Sequence, residues 1–497
     1  MTQLPRQTHV AVVGAGPAGL VAAVSLARAG VEVVVLDKRT GVSDLPRAVG
    51  VTVRQMEIFR SWGIEAELRA CADDVDLTLL EVTTVAEASA GVRRQINVPD
   101  HVQSEVVSPT SSVRVAQDDL ELVLLDELAR HKTATVCRGV EVAGLEQDAD
   151  GVDLVVRAAH DPTAARVRAR YVIGADGARS TVRQLLGIDV VGATDVMRGV
   201  SAEFRAPLWP VLGERRHALY SIRQPNGSGI LIPAGGGTRW QYGVVLGPDD
   251  DAHALSHPSV LTRRIRAAVG VPDVGISIAR TSTFVAGATL AERYSLGRVH
   301  LVGDAAHRVT PRGGNGLAMA VRDGLALGWR LAWVAHGWAP PGFLDTYEEE
   351  MRPLAAADVA RAADPDGGCH TVLTELLHDL GGRLQHAWLP PSRPGEPPRS
   401  TLDLVSGGLT LLTGAEGPWA GAAAGLPQRL PVEIAVLPPP TLHALGIRPL
   451  GALLVRPDGV PVAGWYGAAT VDRATADLTR AIGDLLTPIH HPEGATR

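Results

Sequence analysis

Residues 303–324 read GDAAHRVTPRGGNGLAMAVRDG and follow the apolar run RVHLV (298–302). A carboxylate at the carboxyl end of a buried strand, here Asp304, stands where open α/β sheets bind their ligands. It can accept hydrogen bonds from a polyol such as a ribityl chain, or it can simply cap the turn that follows. Gly313 and Gly314 delay the next helix until about Asn315, so that its first residues, with Gly316 and Leu317, face whatever lies beside Asp304. A helix start of this kind carries roughly half a positive charge, worth about 0.3–1 kcal/mol to a nearby anion at the surface and up to ~2 kcal/mol when partly buried. The N1–C2=O edge of a reduced isoalloxazine is such an anion.

A second constellation lies near residue 14. Gly14-x-Gly16-x-x-Gly19 lets the backbone turn tightly, approach a pyrophosphate and pack helix on strand, with Pro17 and Ala18 opening the helix toward the negative charge. Asp37 ends the second strand 18 residues after Gly19, with Lys38 next to it, and an acid there accepts from both ribose hydroxyls while repelling a 2′-phosphate. The resident dinucleotide is therefore NAD or FAD. A third motif, YVIGADGARSTVRQLLG (171–187), again ends an apolar strand in an acid, Asp176, followed by Arg179 and Arg183. A turn with solvated arginines is the alternative reading of that stretch.

Holding these residues together requires particular elements. Residues 9–37 read as a strand, a helix that starts at Pro17 and stops at Gly30, and a second strand. Residues 118–131 read as an amphipathic helix, and VEVAGLEQ, VDLVVRA and RARYVIGADG as strands. HALYSIRQ (217–224), GILIPAG (229–235) and RWQYGVVL (239–246), separated by Pro225-Asn226-Gly227 and Gly236-Gly237, predict a three-stranded meander. A long apolar helix is expected over about 315–336, and a Pro-rich linker over 389–399. Beyond the linker, a hairpin over 451–465 and a helix over about 472–485 predict a small separate α/β domain.

Length and composition set limits on these readings. A chain of 497 residues exceeds one core, so two or three domains are expected. The net charge of −7 is spread along the chain without a basic tail, which argues against nucleic acid and anionic membranes as partners. Cys71, Cys137 and Cys369 form no C-x-x-C pair, which argues against a disulfide framework or a metal site. With neither a signal-peptide pattern nor an apolar run of transmembrane length, a cytoplasmic location is the expectation.

With these residues in view, the chain resembles the single-component FAD-dependent aromatic hydroxylases, the p-hydroxybenzoate hydroxylase-like flavoprotein monooxygenases. The branch that tailors polyketides and carries a C-terminal thioredoxin-like domain is the most similar. The resemblance covers nearly the whole chain. It rests on GAGPAGL, PRAVGVTVRQMEIFRSWG (46–63), RVAQDDLELVLLDEL, GADGARSTVR, GDAAHRVTPRGGNG, STLDLVSGGLTLL and ALLVRPDGVPVAGW.

It implies an α/β fold with three parts: a Rossmann-like FAD-binding domain over 1–75, 101–178 and 286–388, an inserted β-sheet substrate domain over 76–100 and 179–285, and a thioredoxin-like domain over 400–497. Asp37 is then the adenosine-ribose acid, Arg47 the arginine of a mobile flavin loop, and Arg114 and Gln117 flavin-pocket residues. Asp176 serves FAD and transient NADPH or NADH, Asp304 the ribityl chain, and Pro311 places its carbonyl near the substrate. Two positions depart from the family pattern: Ala318 stands where Asn is usual, and Asn315 where Gln or Leu is frequent, so contacts to the ring edge fall to the backbone. The missing C-x-x-C leaves the C-terminal domain a structural or interfacial part, and a homodimer is compatible with this. No second GxGxxG followed by a helix occurs after residue 37, consistent with a nicotinamide that binds only in passing.

The implied reaction is reduction of FAD by NAD(P)H, formation of a C4a-hydroperoxide with O2, and transfer of one oxygen atom to a polycyclic aromatic substrate. Baeyer–Villiger oxygenation and epoxidation are enzymatic alternatives on the same scaffold, and a redox-silent flavin-binding partner in a biosynthetic assembly is an alternative of another class. Trp240, Tyr242 and Val244 share one face of their strand, with Tyr220 on the neighbouring one; they line the substrate pocket or pack the sheet. His307 reads as structural rather than as a base, and Trp329 and Trp333 as core.

Overall fold

A computed structural model describes residues 4–42, 49–96, 98–158, 161–311, 315–364, 371–391, 393, 395–426 and 430–487. Its first sheet grows around the strand Gln7–Val13, flanked in parallel by Val33–Asp37 and by Asp161–Gly174. Ala134–Arg138 extends one side in parallel, Val299–Leu301 the other with Ser295–Leu296 antiparallel beyond it, and the antiparallel strands Val140–Gln147 and Val152–Ala158 complete the eight. Parallel neighbours need a crossover between them, supplied here by the helix Pro17–Arg28, and covered sheets favour unbroken apolar runs. VVVLD (33–37) is buried at every position for that reason.

The strand that ends in Gly174 lies between Gln7–Val13 and Val299–Leu301, so the glycine turn, Asp176 and Asp304 all emerge at one edge of the sheet. A helix pair fixes this edge. Gly316–Ala335 runs against Pro17–Arg28 so closely that a Cβ at Gly324 would lie 2.5 Å from the Ala18 carbonyl oxygen, and one at Gly328 2.7 Å from the Ser25 Cβ. Small residues at these crossings let the two helix starts sit side by side. The long helix expected over about 315–336 is thus present, and Trp329 and Trp333 are buried as expected.

The second eight-stranded sheet runs in the order His307–Arg308, Ser277–Ala291, Val190–Arg205, Arg239–Val245, Gly229–Pro233, His217–Ile222, Asp76–Val82 and Val92–Gln95. Its centre is the meander read from sequence, in the register Tyr220↔Leu231↔Tyr242. One face, with Leu80, Phe204, Leu231 and Ile222, packs under the helix Pro258–Val269 into a closed core. Gly236 and Gly237, at φ +64° and +69°, make a turn between two strands that other residues would strain.

Residues 409–486 form a four-stranded sheet, Val432–Val436, Leu409–Thr413, Ala452–Val455 and Pro461–Trp465, whose first pair is parallel and the others antiparallel. With the helices Trp419–Ala424, Pro439–Ala444 and Val471–Leu486 this is the βαβαββα order of a thioredoxin-like domain. Within the stretch read as a Pro-rich linker, Leu389 and Arg399 pair as part of a short two-stranded ladder. The domain docks by burying Trp329, Trp333 and Phe343 against Leu409, Leu411 and Trp419, and Trp333 Nε1 donates to the Gly407 carbonyl at 2.9 Å. Among the described residues no helix is long and apolar enough to cross a membrane, and no group of His, Cys, Asp and Glu is arranged to hold a metal ion.

Candidate active site

One cavity of about 2130 Å³ opens between the two large sheets and is bordered by Gly14, Gly16, Pro17, Ala18, Asp37, Lys38, Arg114, Gln117, Asp176, Asp304, Pro311, Asn315, Gly316 and Leu317. Pockets for a single drug-sized ligand span roughly 300–1,000 Å³, so this one has room for a dinucleotide and a further multi-ring body. Arg47 and Gly314 lie outside the described residues.

Each glycine of the first turn has its own physical reason. Gly14 has φ +110°, and a Cβ there would sit 2.3 Å from the Ala175 carbonyl oxygen. Around Gly16 a Cβ would meet nothing within 4 Å, which leaves its backbone open to a ligand. Gly19 does not border the cavity; a Cβ there would lie 2.1 Å from the Gly14 carbonyl oxygen, so its role is the packing of helix on turn. Among the described residues no side chain caps the Pro17–Arg28 helix, which keeps its first N–H groups for an anion. The Asp37 carboxylate is buried and takes the backbone N–H groups of Ala15 and Arg39, both at 2.7 Å. These bonds orient it, and each oxygen retains a lone pair for a ribose hydroxyl.

Asp176 is used differently. Its carboxylate accepts from Ser180 Oγ and, at 3.0 Å, from Val182 N, so it caps the short helix Thr181–Leu185 while bordering the cavity. Arg183, behind it, donates to the Ala305 carbonyl at 2.9 Å and thereby ties this turn to the one that carries Asp304.

Asp304 is exposed to the cavity and makes no hydrogen bond among the described residues, so its capping reading is not realised. The turn beneath it is held by a residue that sequence reading did not single out, Asp323. Its Oδ2 accepts from Gly303 N at 2.9 Å and pairs with His307 Nε2 at 2.6 Å, all three groups being buried. The available signal was an acid in the middle of the apolar helix GLAMAVRDGLALGW, where an unpaired carboxylate is costly. His307 is accordingly structural.

Arg114 is the electrostatic oddity of the site. The side chain is buried, Nε and Nη2 have no hydrogen-bond partner among the described residues, and burial pushes the guanidinium below its usual value while the Asp73 carboxylate opposes the shift. A buried cation with unmade hydrogen bonds at a cavity wall suits an electron-rich or anionic group of a ligand. The helix start at Asn315, again without a side-chain cap, adds a second positive end. The residues present therefore fit FAD: an open glycine turn, a ribose acid, a polyol acid, an unsatisfied cation and a helix start share one cavity.

Two of the three aromatic residues expected to wall off the substrate, Tyr220 and Trp240, require a correction. Tyr220, Trp240 and Tyr242 are fully buried in the closed core on the other face of the sheet. Their polar atoms are already used: Tyr220 Oη donates to the Arg215 carbonyl (2.8 Å), Trp240 Nε1 to the Ala206 carbonyl (3.1 Å), and Tyr242 Oη contacts the carbonyls of Gly227 and Ser228 (2.8 and 2.7 Å). Of the three, only Tyr242 borders the cavity. The wall consists of the alternate positions Leu219, Ile230, Ile232, Gln241 and Gly243, with Ser201 and Ser282 on the adjoining strands. The period of two was legible, but not which face met the cavity, because both faces are covered.

Comparison with known proteins agrees with this geometry. A family model described as an FAD-binding domain matches residues 7–362, and one described as the C-terminal part of aromatic-ring hydroxylases matches residues 378–488. The chain is 31% identical to tetracenomycin B2 monooxygenase-dioxygenase of Streptomyces olivaceus, over 96% of this chain and 98% of that protein. It is 32% identical to aklavinone 12-hydroxylase of Streptomyces purpurascens, over 97% and 98%. Among solved structures, aklavinone-11 hydroxylase in a ternary complex with FAD and aklavinone is similar with a TM-score of 0.85 and 28% identity, covering 97% of this chain and all of that one. The flavin-dependent monooxygenase PieE in complex with FAD and substrate is similar with a TM-score of 0.84 and 28% identity, over 97% and 99%. The chain belongs to the FAD-dependent aromatic-ring hydroxylases.

Proposed function

We propose that the protein uses NADPH or NADH and O2 to place one oxygen atom on a polycyclic aromatic substrate of polyketide type. The observation that carries this reading is the shared cavity: the flavin motifs border one side and a sheet face with an apolar part (Leu219, Ile230, Ile232) and a polar part (Gln241, Ser201, Ser282) borders the other. A flat multi-ring molecule with an oxygenated edge suits such a wall. Relatives named for tetracenomycin B2 and aklavinone support the class of substrate.

When bound, FAD supplies the electron transfer from NAD(P)H and the activation of O2. The residues of this chain bind, orient and exclude water. Asp37 and Asp304 fix the two sugar-like parts of the cofactor, and the N–H groups at 316 and 317 favour negative charge at the ring edge. The sheet wall and the Pro311 carbonyl hold the ring to be oxygenated. No tyrosine of the meander serves as a proton donor, since the hydroxyls of Tyr220 and Tyr242 are bound to backbone carbonyls in the core. Pro311 is exposed at the cavity edge, as an orienting carbonyl requires.

Anaerobic reduction by each nicotinamide, with and without a panel of polycyclic phenols and quinones, tests this. Acceleration by an aromatic acceptor supports it, and a flavin that no nicotinamide bleaches under any condition refutes it. In this reading Arg47 would control the access of the nicotinamide to a bound flavin. Arg47→Ala is therefore expected to slow flavin reduction far more than it weakens FAD binding; stopped-flow rates equal to the parent would remove Arg47 from the mechanism.

A further inference from the structure

The C-terminal domain has no pair of closely spaced cysteines, yet one of its turns reaches the cavity: Asp458 and Val460 border it. The turn is braced from within. Arg456 Nε and Nη2 donate to the Asp458 carboxylate at 3.0 and 2.7 Å, Val460 N donates to the same carboxylate at 3.2 Å, and Arg456 also pairs with Glu350 of the helix Asp345–Ala363. Its outer face meets the segment around Leu384 and the helix that carries Arg54. The Gly459 carbonyl accepts from Leu384 N at 2.7 Å, and the Asp458 carbonyl accepts from Arg54 Nη2 at 2.5 Å.

Arg54 is the second residue of the helix Val53–Ser61. Asp379 fixes the same helix start by accepting from Thr52 Oγ1 at 2.7 Å and from Arg54 N at 3.0 Å. One residue upstream, Val51 exchanges backbone hydrogen bonds with Val113 at 2.9 and 3.0 Å. The residue after Val113 is Arg114, the buried cation with unmade hydrogen bonds, and a Cβ on Gly50 would lie 3.8 Å from its Nη1. Hydrogen bonds and short stretches of backbone therefore link the C-terminal turn to the flavin cavity.

We infer that the 456–460 turn of the C-terminal domain positions the flavin site through Arg54, which makes Arg54 a positioning residue and the domain a working part of the cofactor cavity. Arg54 itself borders the cavity, so a direct contact with the cofactor has to be separated from an effect relayed from the turn. Gly459 provides the separation. It has φ +78°, so alanine strains the turn, while the added Cβ has room, its nearest neighbours being Arg54 Nη2 at 3.6 Å and Arg383 Cβ at 3.8 Å. The substitution shifts the turn without removing any group that could touch the cofactor.

The experiment is titration of apoprotein with FAD, together with visible circular dichroism of the bound flavin, for Arg54→Met, Arg54→Lys, Gly459→Ala and the double variant Arg54→Met/Gly459→Ala. The inference expects Kd to rise about tenfold for Arg54→Met and about three- to tenfold for Gly459→Ala, with the double variant within about twofold of Arg54→Met alone, because coupled sites are not additive. The two single variants shift the flavin dichroism in the same direction, and Arg54→Lys recovers most of the affinity. Asp458→Asn, which keeps an acceptor for Val460 N but cuts the ion pair with Arg456, is an independent disturbance of the turn expected to weaken FAD binding as Gly459→Ala does. A parental Kd in Arg54→Met overturns the inference. So does a parental Kd in both turn variants, or a double variant whose loss is the product of the two single losses.

Discussion

Asp304→Ala is expected to raise the dissociation constant of FAD by about ten- to a hundred-fold, the loss of one hydrogen bond to a charged group, about 1.5–3 kcal/mol. The geometry makes this an unusually clean substitution. The carboxylate is exposed to the cavity and makes no hydrogen bond among the described residues, so removing it leaves no described donor unpaired. The apoprotein should therefore melt as the parent does while the holoprotein loses its flavin on dialysis. Asp37→Ala offers the contrast. It strips the acceptor from the N–H groups of Ala15 and Arg39 and is expected to lower the stability of the apoprotein as well as its affinity. An Asp304→Ala protein that held FAD as tightly as the parent would end the assignment of Asp304 to the cofactor.

The largest effect on stability is expected at Asp358. This buried carboxylate joins three helices: it takes Arg322 Nη2 of Gly316–Ala335 at 2.9 Å, Arg361 Nη2 of its own helix at 2.9 Å, and His378 Nε2 of Val372–Leu380 at 2.8 Å. Burial alone would raise its pKa, but the hydrogen bonds from His378 and Arg322 and their charges outweigh burial and hold it at about 2. Removing one partner of a buried pair costs about 3–5 kcal/mol, and Asp358→Ala should fall near the lower end because Arg322 and Arg361 keep some access to water. The sign of the pH dependence follows from the depressed value. A carboxyl that ionises more readily in the folded state than in the unfolded one contributes fully above the ordinary aspartate range and loses that contribution as pH falls toward 2. Urea midpoints of the parent and Asp358→Ala should thus differ clearly at about pH 5 and converge as the medium becomes more acid. A gap that stayed constant through pH 3 would show that the ion cluster is not its source.

Most of the frame was legible in the sequence because the flavin domain announces itself through local rules. Glycines at positive φ, a proline at the first helical turn and continuous apolar strands need no knowledge of distant contacts, and they gave the first βαβ unit, the 316–335 helix and Asp37 and Asp304 as cavity residues. The meander was equally plain from its turn residues. What failed was the choice of face at Tyr220 and Trp240, neither of which borders the cavity. In a sheet covered on both sides, bulky aromatics mark the closed core as readily as a binding wall, and only the placement of the Pro258–Val269 helix decides between them. Asp323, Asp358 and Arg54 were missed for a related reason. Each matters through partners 16 to several hundred residues away, and no local pattern records such a pairing. Ala318 lies at the cavity border, in the first turn of a helix whose backbone N–H groups would be the contacts open to the ring edge of a bound flavin.

In the proposed function, this cavity directs oxygen from O2 into an aromatic acceptor. Turnover under 18O2 with NADPH or NADH and a panel of polycyclic phenols and quinones, followed by mass spectrometry of the products, tests it most directly. The expected result is an aromatic product that carries one 18O atom when the label is in O2 and none when the label is in water. Label recovered only in hydrogen peroxide or water, with no labelled aromatic product across the panel, would contradict it.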